Sequence, residues 1–291
     1  MPELIDGKII SAAINEETAR RCAEIKNKTG LVPGLAVVQV GDRPDSTLYV
    51  RKKVETCQAL GIHSEMIRLD AATSESELLQ VIDSLNARSD IHGILVQSPP
   101  PDHINEETIV AAIDPLKDVD GFHPVNVGKM TIGDPTALVA CTPAGCVELL
   151  KRSGVELSGK RAVVLGRSMI VGKPLALLLL AQNCTVTVCH SKTRDLPAIT
   201  RQAEILCVAI GKPEFVTADF VSPGTVVIDV GIHVVADSSR KSGKRTTGDV
   251  KFDQVSPLAS KITPVPGGVG PMTIALLMQN TIKAFELQNP A

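Results

Sequence analysis

Ala162-Val163-Val164-Leu165-Gly166-Arg167-Ser168-Met169-Ile170-Val171-Gly172-Lys173-Pro174 reads as a strand, a turn and the start of a helix. The apolar run 162–165 ends abruptly at Gly166, a residue that permits a tight turn. Pro174 suits a first helical position, where its missing amide would be unpaired anyway. Free amides at such a helix start attract phosphate. The spacing is G-x-x-x-x-x-G, which is not the G-x-G-x-x-G dinucleotide fingerprint. A nucleotide P-loop would need Gly at 167 and Ser or Thr at 174, where Arg and Pro stand. A plain strand–helix turn is the competing reading.

Outward from this turn the same alternation continues. A helix over 174–182, a strand over 185–189, a helix near 196–202 and strands over 205–209 and 226–230 give the order of a dinucleotide domain. Polar, basic 237–248 predicts an exposed hairpin or loop. Towards the N-terminus, strands are expected over 35–40, 66–69 and 93–96, with helices over 8–28, 47–60 and 75–87. The fold expected is α/β: two α/β domains, the second Rossmann-like. Residues 1–141 form the first domain and 142–272 the second. A final helix from Thr273 packs back on the first.

With 291 residues, 44% hydrophobic and 21% charged, the chain is long enough for two packed cores. Five Phe, one Tyr and no Trp mean that aliphatic residues build those cores. A formal charge of −2 argues against a nucleic-acid surface. Seven scattered cysteines with no C-x-x-C pair fit a reducing cytoplasm. No signal peptide is evident. The longest candidate span, 175–181, is far short of the roughly 20 apolar residues that cross a membrane. No metal site is expected.

The strand after the glycine turn separates NAD from NADP. NAD enzymes place Asp or Glu near its end to hold ribose hydroxyls. Here it runs into His190-Ser191-Lys192-Thr193-Arg194, with no carboxylate, while Arg167 sits in the turn. A 2′-phosphate is therefore favoured, and NADP is the cofactor expected.

In the first domain, Tyr49 and Lys53 lie four apart on a predicted helix and share one face. An amphipathic surface is the plainer reading of such a pair. Gln97 and Pro99–Pro101 end a buried strand as a rigid loop, since proline lacks the amide a central strand needs. Asp118-Val119-Asp120-Gly121 is a tight acidic turn without the further oxygen ligands of an EF-hand. Pro264-Val265-Pro266-Gly267-Gly268-Val269-Gly270-Pro271-Met272-Thr273 carries three prolines and three glycines in its first eight residues. It predicts a ligand-shaping loop, not a packed element, that leads into a helix.

Together these segments, Tyr49-x-x-x-Lys53, Val96-Gln97, Lys117–Phe122, Gly166–Pro174 and Pro264–Thr273, resemble the methylenetetrahydrofolate dehydrogenase/cyclohydrolase family in its compact bacterial form. The resemblance spans nearly the whole chain. It implies NADP-dependent oxidation of 5,10-methylenetetrahydrofolate followed by hydrolysis to 10-formyltetrahydrofolate. It also implies a cleft between the domains, tetrahydrofolate derivatives as ligands and a homodimer. By the same resemblance Lys53 is the catalytic lysine, Tyr49 packs against folate and helps place it, and Gln97 hydrogen-bonds near it. Asp120 holds the pterin, and Pro266, Gly267 and Gly268 line the folate cleft. Gly166, Arg167 and Ser168 touch the NADP phosphates, Ser191 lies near the 2′-phosphate and Ile232 meets the nicotinamide end. One departure stands out: Gln97-Ser98-Pro99-Pro100-Pro101 replaces the family's Gln-Leu-Pro-Leu-Pro. Alternatives are a member with one activity, a shikimate-dehydrogenase-type enzyme, or a non-catalytic nucleotide-sensing subunit.

Overall fold

The computed structural model describes residues 2–42, 44–240 and 242–290, and the side chains of 44–49 lie outside the described set. The chain divides into two compact units: Met1–Ala12 with Thr142–Thr273, and Ala13–Cys141 with Ile274–Ala291. Its first elements are β1 (Glu3–Leu4), α1 (Gly7–Thr29), β2 (Gly34–Val40), α2 (Pro44–Leu60), β3 (His63–Leu69) and α3 (Glu75–Asn86). Next come β4 (Gly93–Val96), α4 (Glu106–Ala112), α5 (Pro124–Ile132), α6 (Cys141–Arg152), β5 (Arg161–Leu165) and α7 (Gly172–Ala181). Then follow β6 (Thr185–Cys189), α8 (Leu196–Thr200), β7 (Ile205–Val208) and β8 (Val226–Asp229). The last are β9 (His233–Ala236), β10 (Lys244–Thr247), α9 (Phe252–Val255), β11 (Lys261–Ile262) and α10 (Val269–Gln288).

The unit around residues 13–141 holds a parallel sheet in the order β3-β2-β4. Every residue of β2 is buried, as the centre of a parallel sheet demands. Its core joins Val38 and Ile94 to Leu78, Ile82 and Leu85 on one face of α3. Burying each of those three side chains contributes about 1.5–3 kcal/mol. A capping box starts that helix, with Ser74 and Glu77 each bonding the other's backbone amide.

The other unit holds a six-stranded parallel sheet, β1-β11-β8-β7-β5-β6. Its strand order reverses at β5, with β6 on one side and β7 on the other, so the ligand crevice falls beyond the carboxyl end of β5. The polar segment after β8 forms the antiparallel hairpin β9–β10.

Three sequence expectations need correction. Residues 1–12 group with the second sheet and not with 13–141, because β1 pairs with β11. The helix after the glycine turn starts at Gly172, two residues early, so Pro174 is its third residue. Likewise α10 starts at Val269, so half of the proline–glycine stretch is already helical and Pro271 is third. Pro143 is third in α6 as well. The first four amides of a helix lack intrahelical partners, so a third-position proline forfeits no hydrogen bond.

All seven cysteines are buried and free. No described helix is long and apolar enough to cross a membrane. Among the described residues no group of three His, Cys, Asp or Glu could hold a metal ion.

Candidate active site and cofactor crevice

In the 13–141 unit, β2 is flanked by β3 and β4, so a switch point lies beyond its carboxyl end too. Lys53 projects from α2, the helix that follows β2, and Gln97 follows β4. The Lys53 Nζ donates to Gln97 Oε1 at 3.1 Å. Gln97 is held in turn, its amide nitrogen bonded to Ser98 O at 2.8 Å and its backbone amide to Val38 O at 2.8 Å. At the departure from the family pattern, the Ser98 hydroxyl donates to the Glu106 carboxylate at the start of α4. Tyr49 is a helical residue of α2 whose side chain lies outside the described residues.

The acidic turn brings Asp120 to the same place. Asp118, 1% exposed, accepts the amides of Gly121 (3.1 Å), Phe122 (3.3 Å) and His123 (2.8 Å) and the side-chain amide of Asn126 (2.9 Å). Burial still pushes its carboxyl up, with those donors opposing. Lys117 is buried with its ammonium on the carbonyls of Leu85, Asn86 and Arg88, at the end of α3 where a cation is favoured. Asn280 of α10 donates to Val119 O and Val139 O, both at 2.8 Å. Gly121 adopts φ 74°, and a Cβ there would stand 2.4 Å from the Ala140 nitrogen. Asp120 is thereby presented half-buried, and among the described residues no hydrogen-bond donor reaches its carboxylate. Burial pushes it up to about 6, against the pull of the Lys53 charge and with a push from Asp118 and Glu106. Lys53, Gln97 and Asp120 thus form one cluster.

The glycine turn is built from backbone. Gly166 sits at φ 128°, where a Cβ would lie 2.1 Å from Ala209 O, and a Cβ on Gly172 would lie 2.3 Å from Gly166 O. Arg167 and Ser168 are exposed. The Ser168 hydroxyl accepts the amides of Val171 (3.2 Å) and Gly172 (3.3 Å). The amides of Arg167, Ser168, Met169 and Ile170 have no acceptor among the described residues. Unfilled amides ahead of a helix start, over a backbone packed too closely for any Cβ, fit a pyrophosphate. Ser191 is exposed just beyond β6, and Ile232, 54% exposed, lies between β8 and β9. Pro266, Gly267 and Gly268 belong to this unit, and a Cβ on Gly7 would come 1.8 Å from Gly268 O. The Thr142 and Thr273 hydroxyls, 3.0 Å apart, tie the starts of α6 and α10.

Sequence reasoning missed the acidic residues beside this crevice. Asp249 accepts the amides of Ile210 (2.7 Å), Gly211 (3.0 Å) and Lys212 (2.8 Å), and its Oδ1 is 2.8 Å from His233 Nε2. Asp229 accepts the amides of Gly231, Asp249 and Val250, each at 3.0 Å. Burial pushes Asp229 up to about 7, against those amides and with the Asp249 charge adding to the push. The available signal was a charged residue ending the apolar strand Val226–Asp229.

A crevice for a phosphorylated cofactor on one parallel sheet, with ionisable side chains over the end of another, is the plan of two-domain nucleotide-dependent α/β enzymes, and the chain is of that class. Within it the chain belongs to the tetrahydrofolate dehydrogenase/cyclohydrolase family. The family's catalytic-domain model matches residues 5–120, and its NAD(P)-binding-domain model matches residues 140–289. The bifunctional protein FolD of Prosthecochloris aestuarii is 54% identical over 287 residues, 97% of each chain. The solved bifunctional FolD methylenetetrahydrofolate dehydrogenase/cyclohydrolase of Campylobacter jejuni superposes with a TM-score of 0.94 at 46% identity, over 99% of both chains. The Trypanosoma brucei FolD dehydrogenase–cyclohydrolase, solved with NADP and an inhibitor, gives 0.94 at 41% identity over the whole of both. Shikimate dehydrogenase of Aquifex aeolicus, at 12% identity and a TM-score of 0.54 over 89% of this chain and 92% of its own, shares the fold alone.

Proposed function

We propose that the chain oxidises 5,10-methylenetetrahydrofolate to the 5,10-methenyl form with NADP and then hydrolyses that product to 10-formyltetrahydrofolate. The observation that carries this reading is the cluster of Lys53, hydrogen-bonded to Gln97 at 3.1 Å, with the uncommitted carboxylate of Asp120. Asp120 accepts the N–H donors of the pterin's amino-pyrimidine edge, a charge-assisted pairing. Nitrogen lone pairs beside the methylene carbon stabilise the cation left by oxidation, so no protein base is needed there and orientation dominates. Bound NADP supplies the hydride acceptor. Hydrolysis does need a proton moved from the attacking water, and Lys53, aimed by Gln97, relays it. Tyr49, one helical turn before Lys53, packs against the folate.

On the other unit, the amides of Arg167 and Ser168 above Gly166 receive phosphate, Arg167 and Ser191 receive the 2′-phosphate, and Ile232 meets the nicotinamide. Pro266, Gly267 and Gly268 line the folate side. The domains are assigned as folate-binding and catalytic for 13–141 and NADP-binding for 142–272. A cytoplasmic location is supported by seven unpaired cysteines. A homodimer is supported by the exposed edge strand β6, where Val188 is 39% exposed. The test is to follow methenyl formation by absorbance with NADP and NAD in parallel. Faster formation with NADP, followed by decay of the methenyl signal, is expected. No formation with either dinucleotide sinks the reading.

A further inference from the structure

Three backbone segments meet beyond the carboxyl ends of β7 and β8: 209–212, 230–233 and 248–250. Two buried carboxylates tie them together. Asp249 is 0% exposed and gathers three successive amides, Ile210 to Lys212, plus His233 Nε2. Asp229, 4% exposed, gathers the amides of Gly231, Asp249 and Val250, while its own amide donates to Thr263 Oγ1 at 2.8 Å. Packing leaves no slack. A Cβ on Gly248 would stand 1.8 Å from Asp229 Oδ2, and one on Gly231 would stand 2.6 Å from the Asp249 carboxyl carbon.

These segments form the wall of the cofactor crevice. Ala209 donates its amide to Leu165 O at 2.8 Å, and its carbonyl is what excludes a Cβ at Gly166. Ile232 stands between Gly231 and His233, which bond to Asp229 and Asp249 respectively. Two buried carboxylates so close repel one another, and each buried charge has a desolvation cost. A wall held only for stability could use apolar packing at less cost. What carboxylates add is direction, since each oxygen fixes the amides that point at it.

We propose that Asp249, with His233 and Asp229, is a positioning device for NADP: it sets the backbone of 209–212 behind Gly166 and the reach of Ile232, without touching the cofactor. The proposal rests on the assignment of this crevice to NADP. In Asp249→Asn one acceptor oxygen becomes a donor that faces amide donors. The dissociation constant for NADP should rise about 10-fold, the scale of one lost charge-assisted hydrogen bond. Methenyl hydrolysis consumes no dinucleotide, and its rate should fall by a much smaller factor in the same variant. His233→Ala, at a side chain 20% exposed, should show the same split with a smaller rise, and it serves if Asp249→Asn does not fold. His233→Gln, which keeps a donor, should restore part of the affinity. Unchanged NADP affinity in folded Asp249→Asn or His233→Ala overturns the proposal, as does a loss of hydrolysis proportional to the loss of NADP affinity. Wild-type protein that binds no NADP overturns the cofactor assignment and this proposal together. Wild-type binding with unaffected variants overturns this proposal alone.

Discussion

The acidic turn Lys117–Phe122 and the glycine turn Gly166–Gly172 are both short connections on parallel sheets, yet they are held in opposite ways. The first is fixed by side chains: Lys117 on three carbonyls, Asp118 on four donors, Asn280 on two carbonyls. Among the described residues, the side chain it leaves without a hydrogen-bond donor is the carboxylate of Asp120. The second is fixed by close backbone approach, and its uncommitted groups are amides. A ligand that offers donors fits the first, and an anion fits the second. What a turn leaves unpaired is a better guide to its ligand than what it contains.

The largest effect should come from the residue holding the acidic turn. Asp118→Ala strands four donors in a buried place, and a buried unsatisfied polar group costs about 1–3 kcal/mol. Urea unfolding should show a loss of at least ~3 kcal/mol. A loss below ~1 kcal/mol would mean that the turn does not depend on this carboxylate.

Lys53→Met tests the chemistry beside that turn. Methenyl hydrolysis should fall by at least about 10²-fold, while oxidation falls much less and methenyl product accumulates. Lys52→Met, about 100° round the helix, should leave both rates near wild type. Equal loss of both activities with folate still bound would refute the division of labour.

Asp120→Asn should weaken folate binding by roughly 1.5–3 kcal/mol, with little loss of stability and NADP binding near normal. Because Asp120 titrates near about 6, folate affinity in the wild type should rise as pH climbs through that value and the carboxylate ionises. The stability effect has the opposite sign. The folded state holds this proton more tightly than the unfolded chain, so stability relative to Asp120→Asn is lost as pH rises from the ordinary carboxylate range through about 6. Folate affinity that ignores pH here, or a variant that binds as well as wild type, removes Asp120 from the site.

The smallest effect belongs to the glycine turn, where backbone does most of the holding. Arg167→Ala should raise the Michaelis constant for NADP on the order of 10-fold and that for NAD far less. Equal loss with both would place Arg167 on the shared pyrophosphate or in a structural role.

Much of the second unit could be read from sequence because β5, β7 and β8 are short, mostly apolar runs with a glycine within three residues of their ends, and the turn at Gly166 announces a backbone requirement by residue type. The acidic turn was legible only as acidic. Nothing in Asp118-Val119-Asp120 says which carboxylate faces inward, because the donors that decide it are backbone amides, which every residue but proline carries alike. For the same reason Asp229 and Asp249 escaped notice, although they lie 20 residues apart and share a hydrogen bond. The start of α10 was misjudged because proline and glycine usually break helices, and the free amides of a first turn suspend that rule at Pro271.

The seven buried thiols have a practical side. Burial pushes Cys22 up to about 11 and Cys57 and Cys146 up to about 12, so each stays neutral and unreactive while its surroundings are closed. Cys22, Cys57 and Cys141 lie in one unit and Cys146, Cys184, Cys189 and Cys207 in the other. A thiol reagent added to the unmodified protein can therefore act as a clock. Each cysteine is labelled only when its own neighbourhood opens, and peptide mapping of the label separates the breathing of one unit from that of the other.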